Sequence, residues 1–331
     1  MGYTMKATAK AYSNVAIVKY WGKRDEKLMT PMNSNISMTS DAHGATATVE
    51  FSEEYDEDIA IVNGEPTIEK VKERTEKHID LIRKIAGITL KAKGEAKTDL
   101  PIGIGLASSA SGFASLTVAA CAAAGLKLDP KQLSIISRQG SGSSCRSIYG
   151  GFVEWLSGNK SEDSYAIQLA DQHWWDVRDV IAMVSTKQRK VDTRNGMRIA
   201  KDTSPYYPAW LKEVEKDLAN VRKAIKDRDF TLLGRTAERN SLMMHATAIT
   251  ATPELIYWVP ETLRVMHEVM LMREEGIKCY FSCDTGANVH IFCLPEEEKN
   301  IMKRIGKLEG VQKTIVGKPG EGTKLINKHL F

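Results

Sequence analysis

What the chain lacks narrows its function first. No apolar run reaches the length of a bilayer-spanning helix, and residues 1–10 have no apolar centre of the kind a secretory signal carries, so a cytoplasmic protein is expected. Charge of one sign is also scarce: 46 basic against 42 acidic residues leave a net +4, scattered rather than striped. That argues against a nucleic acid or a membrane surface as partner and leaves room for a mildly positive pocket that takes a small anion. Cysteine is sparse and odd in number. Cys121, Cys145, Cys279, Cys283 and Cys293 show no C-x-x-C spacing and the seven histidines no H-x-x-x-H, so buried thiols are expected, with no disulfide frame and no structural metal. Repeats and low-complexity linkers are absent too, which leaves one large domain or two intimately packed ones.

What is present is a changing hydrophobic period. Residues 5–12 and 16–20 read as two strands separated by the polar pair Ser13-Asn14, and Ala45, Ala47, Val49 and Phe51 alternate with polar residues as a third. A strand over 59–62 ends at an Asn63-Gly64 turn. Ile68, Val71, Thr75, Ile79, Ile82 and Ile85 then recur at helical spacing up to a stop at Gly87, and residues 88–96 return to a strand. Helices are predicted at 109–124 and from Asp129-Pro130, with strands at 152–155 and 176–185. Helices at about 209–225, 230–244 and 261–275 follow, then strands 277–283 and 288–293, a helix over 296–305 and a last strand near 312–316. This order gives an α+β protein of two lobes with no clean linker, and therefore a cleft between them.

Four polar clusters carry candidate chemistry. In DLPIGIGLASSASGFASL, residues 99–116, Gly103, Gly105, Ser108, Ser109, Ser111 and Gly112 run into a small-residue helix whose free N–H groups and dipole favour an anion, as in a phosphate loop. No Lys-Ser/Thr pair follows, so it is not a Walker loop, and a glycine turn with a serine cap accounts for the stretch as well. In SNVAIVKYWGK, residues 13–23, Lys19 and Lys23 bracket an aromatic pair, a pattern that surface lysines laying their stems over apolar neighbours also give. In QGSGSSCRS, residues 139–147, Arg146 sits in either a mobile surface loop or a fork for a carboxylate or phosphate. In CDTGAN, residues 283–288, Asp284 ends an apolar strand before a glycine turn, as an Asx cap or as a general base.

Together and in this order, SNVAIVKYWGKRDEKLMTPMNS, LPIGIGLASSASGFASL, RQGSGSSCRSIYGGFVEW and the Asp-x-Gly-x-Asn turn of CDTGAN resemble the motifs of mevalonate diphosphate decarboxylases, members of the GHMP kinase superfamily, over nearly the whole chain. The resemblance implies a GHMP-kinase-like α+β fold with a deep active-site cleft, usually as a homodimer. Residues 1–184 would form a ribosomal-S5-like lobe with the phosphate loop, and 185–331 an α+β lobe with the aspartate turn. The implied reaction phosphorylates the tertiary 3-hydroxyl of a 5-phosphorylated mevalonate, then expels phosphate and CO2 to give an isopentenyl phosphate or diphosphate. Asp284 matches the aspartate that orients and deprotonates the hydroxyl, Lys19 the lysine that keeps it ionised, and Arg146 the arginine that binds the substrate carboxylate. Asn14 matches an active-site asparagine, Tyr20, Lys23, Ser141 and Ser143 match positions near the 5-phosphate, and Ser108 and Ser109 match the phosphate-loop serines. No metal ligand is assigned; ATP and Mg2+ are implied if the 3-phosphorylation takes place here, and no cofactor if the substrate arrives already phosphorylated.

The chain departs from the ATP-dependent diphosphate enzymes. Its turn reads Asp284-Thr285-Gly286-Ala287-Asn288 where they usually have Asp-Ala-Gly-Pro-Asn, Asn240-Ser241-Leu242 stands for their Asp-Ser-Asn, and the last glycine-rich turn is degenerate, GKPGEGTKLI. With YWVPETLRVM and Leu330-Phe331, these features look like archaeal relatives that act on mevalonate 5-phosphate with ATP or on mevalonate 3,5-bisphosphate without it, and they lean towards the bisphosphate. A mevalonate 3-kinase or a non-catalytic nucleotide-binding relative would share the fold. Retention of Lys19, Arg146 and Asp284 together argues for carbon–carbon cleavage instead.

Overall fold

Two long strands set the architecture of the computed structural model, which describes residues 5–99, 108–187 and 190–331. β1 (Lys6–Val18) is followed by the small hairpin β2 (Lys23–Asp25) and β3 (Thr30–Pro31), and then by β4 (Asn35–Ser52), 18 residues long. Ser13-Asn14 does not divide β1: both residues stay paired, opposite Ser40 and Thr39 of β4, after a register shift at Tyr12/Ser13. Their side chains are buried, so the polarity there belongs to the interior and not to a chain break. β4 starts ten residues before its visible alternation because Asn35, Ser37 and Thr39 are buried along with Ile36 and Met38, which erases the two-residue period.

The next elements are β5 (Ile59–Val62), β6 (Glu65–Pro66), α1 (Glu69–Ala86) and β7 (Lys91–Thr98). Asn63 and Gly64, at φ 56° and 83°, make the tight turn predicted between β5 and β6, and Gly87 at φ 67° ends α1. Then come α2 (Ser108–Ala123), α3 (Pro130–Gly140) with a capping box at Asp129, the one-turn α4 (Ser144–Ser147), β8 (Phe152–Trp155) and β9 (Ala166–Ala170). β4 pairs with β1 along one edge; on the other, its first four residues pair with β8 and its last eight with β7. Alanines of α2 pack on Ala9, Ala11 and Ala47, whose small side chains let the helix lie close to the sheet.

The second sheet, in the order β11-β12-β10-β13, is built from β10 (Arg178–Met183) and, after α5 (Thr193–Thr203), α6 (Tyr207–Asp227), α7 (Phe230–Ile249) and α8 (Pro260–Glu274), from β11 (Cys279–Cys283), β12 (Val289–Cys293) and, after α9 (Pro295–Ile305), β13 (Lys313–Gly317). β14 (Lys324–Ile326) then returns to pair with β1. The expected division after residue 184 therefore cuts behind a strand of the second sheet, since β10 hydrogen-bonds to β12 and β13, and the chain's end rejoins the first. α5, β9 and β14 are short elements that the hydrophobic pattern did not predict. All five cysteines are free and buried. The core that matters for the site joins Val15, Ile17, Val18 and Trp21 to Trp210, Leu218, Leu233 and Met244 of α6 and α7, locking the end of β1 against the second half.

Candidate active site

Lys19, just past β1, meets Asp284, just past β11, at 2.6 Å between Nζ and Oδ1. Backbone fasteners place both. The Lys19 N–H donates to Asn240 Oδ1 at 2.8 Å, and Asn240 Nδ2 donates at 2.8 Å to Asp217, which Arg239 also holds. On the other strand, Ser241 Oγ accepts from Cys283 N–H at 2.8 Å and donates to its carbonyl at 3.1 Å. Asn288 Oδ1 accepts from the N–H groups of Val184 and Ser185, stitching the aspartate turn to the end of β10. The departure at Asn240 is thus a working one: an amide can both accept from Lys19 and donate to Asp217, which a carboxylate could not. Burial alone would raise the Asp284 pKa, but the charges of Lys19, His290 and Arg146 and the Lys19 hydrogen bond outweigh it and hold the carboxyl below its ordinary value.

Arg146 lies in α4, 2% exposed, so the mobile-loop reading of residues 139–147 does not hold: α3 runs to Gly140, and after a three-residue turn α4 spans Ser144–Ser147. Its Nε donates to Ser37 Oγ at 2.8 Å, Nη2 to Asn14 Oδ1 at 2.8 Å and Nη1 to Asn35 Oδ1. Asn14 is oriented in turn by donating to Ser147 Oγ and the Ser143 carbonyl. Every one of these acceptors is neutral. Burial pulls the guanidinium below its ordinary pKa, with Cys145 and Asp284 opposing, and no described carboxylate lies within ion-pair distance of it. A buried cation with neutral partners and spare N–H groups is a seat for an anion.

A second group of cations collects beside it. Lys23 is buried and pairs with Glu26 at 2.5 Å; burial lowers its pKa, and Arg194 and Arg74 lower it further. The Arg74 guanidinium is pushed down to about 10 by burial and by Arg194, and its Nε is buried without a partner. Tyr20 packs against Trp155 with ring centroids 4.7 Å apart and planes tilted by 60°, its hydroxyl likewise unpartnered and its pKa driven up by burial. Gly142 has to be glycine here, since a Cβ would come within 2.9 Å of that hydroxyl. Ser141 Oγ reaches Ser109 Oγ at 3.4 Å and Ser111 Oγ shares a 3.0 Å hydrogen bond with Ser13, which brings the start of α2 to the same place. Gly103 and Gly105 lie outside the described residues; Ser108 opens α2.

Arg74 and Arg194 were not among the sequence candidates. Arg74 sits on an amphipathic helix full of other charges, and Arg194 in the unpredicted α5, so neither carried a local signal. A separate cavity of about 410 Å³, lined by Tyr12, Asp41, His173 and Glu321 among others, takes in none of the predicted site residues. No group of three or more described His, Cys, Asp or Glu residues could hold a metal, and no described helix is long and apolar enough to cross a membrane.

The two sheets with their helices and the buried Lys19–Asp284 pair match an enzyme scaffold of the GHMP-kinase-like class, and similarity to known proteins identifies the family. Residues 11–166 match the diphosphomevalonate decarboxylase-like N-terminal domain and 179–324 the mevalonate 5-diphosphate decarboxylase C-terminal domain. The phosphomevalonate decarboxylase of Haloferax volcanii is 33% identical over 320 residues, 96% of this chain and 97% of that one. The solved mevalonate diphosphate decarboxylase from Enterococcus faecalis, described for its mevalonate diphosphate mediated ATP binding, superposes with a TM-score of 0.92 at 37% identity, covering 98% of this chain and 99% of the other. A solved complex of MDDEF with MVAPP, AMPPCP and magnesium superposes with a TM-score of 0.92 at 38% identity and the same coverage. The chain belongs to the mevalonate diphosphate decarboxylase family and is a decarboxylase.

Proposed function

We propose that the chain phosphorylates the 3-hydroxyl of a 5-phosphorylated mevalonate and then decarboxylates it, with Asp284, Lys19 and Arg146 at the reacting end. The observation that carries this reading is the 2.6 Å pair of Lys19 with an Asp284 held ionised. A ready base beside a cation is what removal of a hydroxyl proton needs, and a substrate that arrives with its 3-phosphate installed has no such proton to give. The pair therefore favours a substrate with a free hydroxyl over the 3,5-bisphosphate to which the departures in CDTGAN lean. Arg146 holds the substrate carboxylate in the plane set by Asn14, Asn35 and Ser37, which aligns the bond to be broken.

Lys23, Arg74, Arg194, Tyr20, Ser141 and Ser143 take the 5-phosphate end, where Glu26 pairs with Lys23 and Asp192 lies near Arg74. Ser109 and Ser111, at an α2 N-terminus without an acidic residue in its first turn, fit the phosphates of ATP. When bound, ATP with Mg2+ supplies the phosphoryl group and neutralises its oxygens, and Mg2+ held largely by phosphates needs no protein cage. The chain works as a cytoplasmic homodimer in this reading.

The test is CO2 release by the purified protein from mevalonate 5-phosphate, 5-diphosphate and 3,5-bisphosphate, each with and without Mg-ATP. Release from one of the two hydroxyl substrates only with ATP is expected, and the preferred one fixes the 5-group. Release from the bisphosphate alone, indifferent to ATP, would replace this reading with that of a stand-alone decarboxylase.

A further inference from the structure

His290, on β12, lies behind the reacting pair and was no part of the sequence candidates. The register Ser282↔His290 and Cys283↔Val289 puts His290 on the sheet face that Ser282 and Asp284 share. Its Nδ1 lies 3.0 and 3.1 Å from the two oxygens of Asp179 on the neighbouring β10. Asp179 is fully buried, and besides His290 it accepts a hydrogen bond from the Ser40 hydroxyl of the first sheet, at 3.4 Å. No described lysine or arginine pairs with it. A carboxylate so enclosed is costly without a donor, so the geometry puts a proton on His290 Nδ1, and the buried negative charge favours a second proton on the ring. The other nitrogen, Nε2, is buried without a partner, as is Ser282 Oγ directly across the strand pair.

We propose that His290, charged by Asp179, is a second cation that holds Asp284 in its anionic form, acting from the sheet side while Lys19 acts from the end of β1. This makes His290 and Asp179 positioning residues, and it rests on the assignment of Asp284 to the reacting end. The charged and titratable groups around His290 are Asp179 on β10, Asp284 beyond β11, Lys19 beyond β1 and His43 on β4, with Asp99 facing His43. Burial would lower the His290 pKa, but the charge and hydrogen bond of Asp179, aided by Asp284, outweigh it and raise the pKa above its ordinary value. His43 is pushed down to about 4 by burial and by His290, so the cluster carries its one proton on His290 at neutral pH.

The test follows the carboxyl of Asp284 by 13C NMR in the free protein, and the acid limb of CO2 release, in wild type, His290→Gln, His290→Lys and Asp179→Asn. Loss of the cation in His290→Gln is expected to move the Asp284 titration and the acid limb up by about one pH unit, as removal of a nearby charge in a partly shielded site does. His290→Lys, which restores the charge, keeps both in place, and Asp179→Asn moves them as Gln does. Equal shifts in the Gln and Lys variants, or none in either, would overturn the proposal, as would a neutral His290 imidazole in the wild type at pH 6. The NMR titration needs no substrate. If the chain acts on a pre-phosphorylated substrate, the acid limb fails but the carboxyl titration still decides the dyad.

Discussion

The two ends of the proposed site are built on opposite terms. At the reacting end, Lys19 and Asp284 satisfy each other at 2.6 Å, and Asn240, Ser241 and Asn288 fix the backbones that carry them. At the phosphate end, the charges of Lys23, Arg74 and Arg194 act on one another, and Arg74 Nε and the Tyr20 hydroxyl go unpartnered. The first is arranged for a charge the protein already owns; the second waits for charge that a ligand brings. Substitutions at the first should therefore cut turnover, and those at the second should weaken binding.

The largest expected effect is at Lys19. Lys19→Met leaves the proposed base Asp284 without its nearest cation, and kcat should fall, by up to the roughly 10²–10⁴ typical of losing the base itself, with little change in KM. Steady-state CO2 release checks it; a raised KM at unchanged kcat would merge the two ends. Arg146→Lys should follow, because a lysine cannot fork to Asn14, Asn35 and Ser37 together. Urea unfolding should show a loss of about 1–3 kcal/mol from the stranded amides, alongside a drop in activity.

At the other end, Arg74→Ala should raise KM for the 5-phosphorylated substrate about tenfold or more, the worth of a charge-assisted hydrogen bond, and leave kcat within a few-fold. A gentler probe is inorganic pyrophosphate, which should raise Tm in the wild type by binding the folded state, and less so in Arg74→Ala. The smallest effect sits away from both ends. His43, His78 and His245 are buried and held neutral, with pKa values lowered to about 4. Unfolding returns them to about 6.5, so their stabilising contribution is whole above that value and drains away as the pH falls from about 6.5 to about 4. A series of thermal melts across that window should show Tm declining on the acid side.

What the sequence makes legible follows the same divide. Strand ends and a glycine-serine turn single out Lys19, Arg146 and Asp284 as candidates in the chain, and their proposed roles come from the resemblance of the ordered motifs. Alternation and helical spacing found α1, β7 and α8, where one face is wet and the other dry. They failed where both faces are buried, as in the first half of β4 and across Ser13-Asn14, since a polar residue there satisfies a buried partner and not water. Arg74, Arg194 and the His290–Asp179 pair come from four different elements, and only tertiary packing brings each of them to the site.

The central claim is that Asp284 is kept ionised in order to take a hydroxyl proton. The most direct measurement is CO2 release by Asp284→Asn and wild type, on the preferred 5-phosphorylated mevalonate with Mg-ATP and on mevalonate 3,5-bisphosphate without it. The account predicts a loss of about 10²–10⁴ on the hydroxyl substrate and a far smaller one on any turnover of the bisphosphate. Equal losses on both, or wild-type release from the bisphosphate alone, would contradict it.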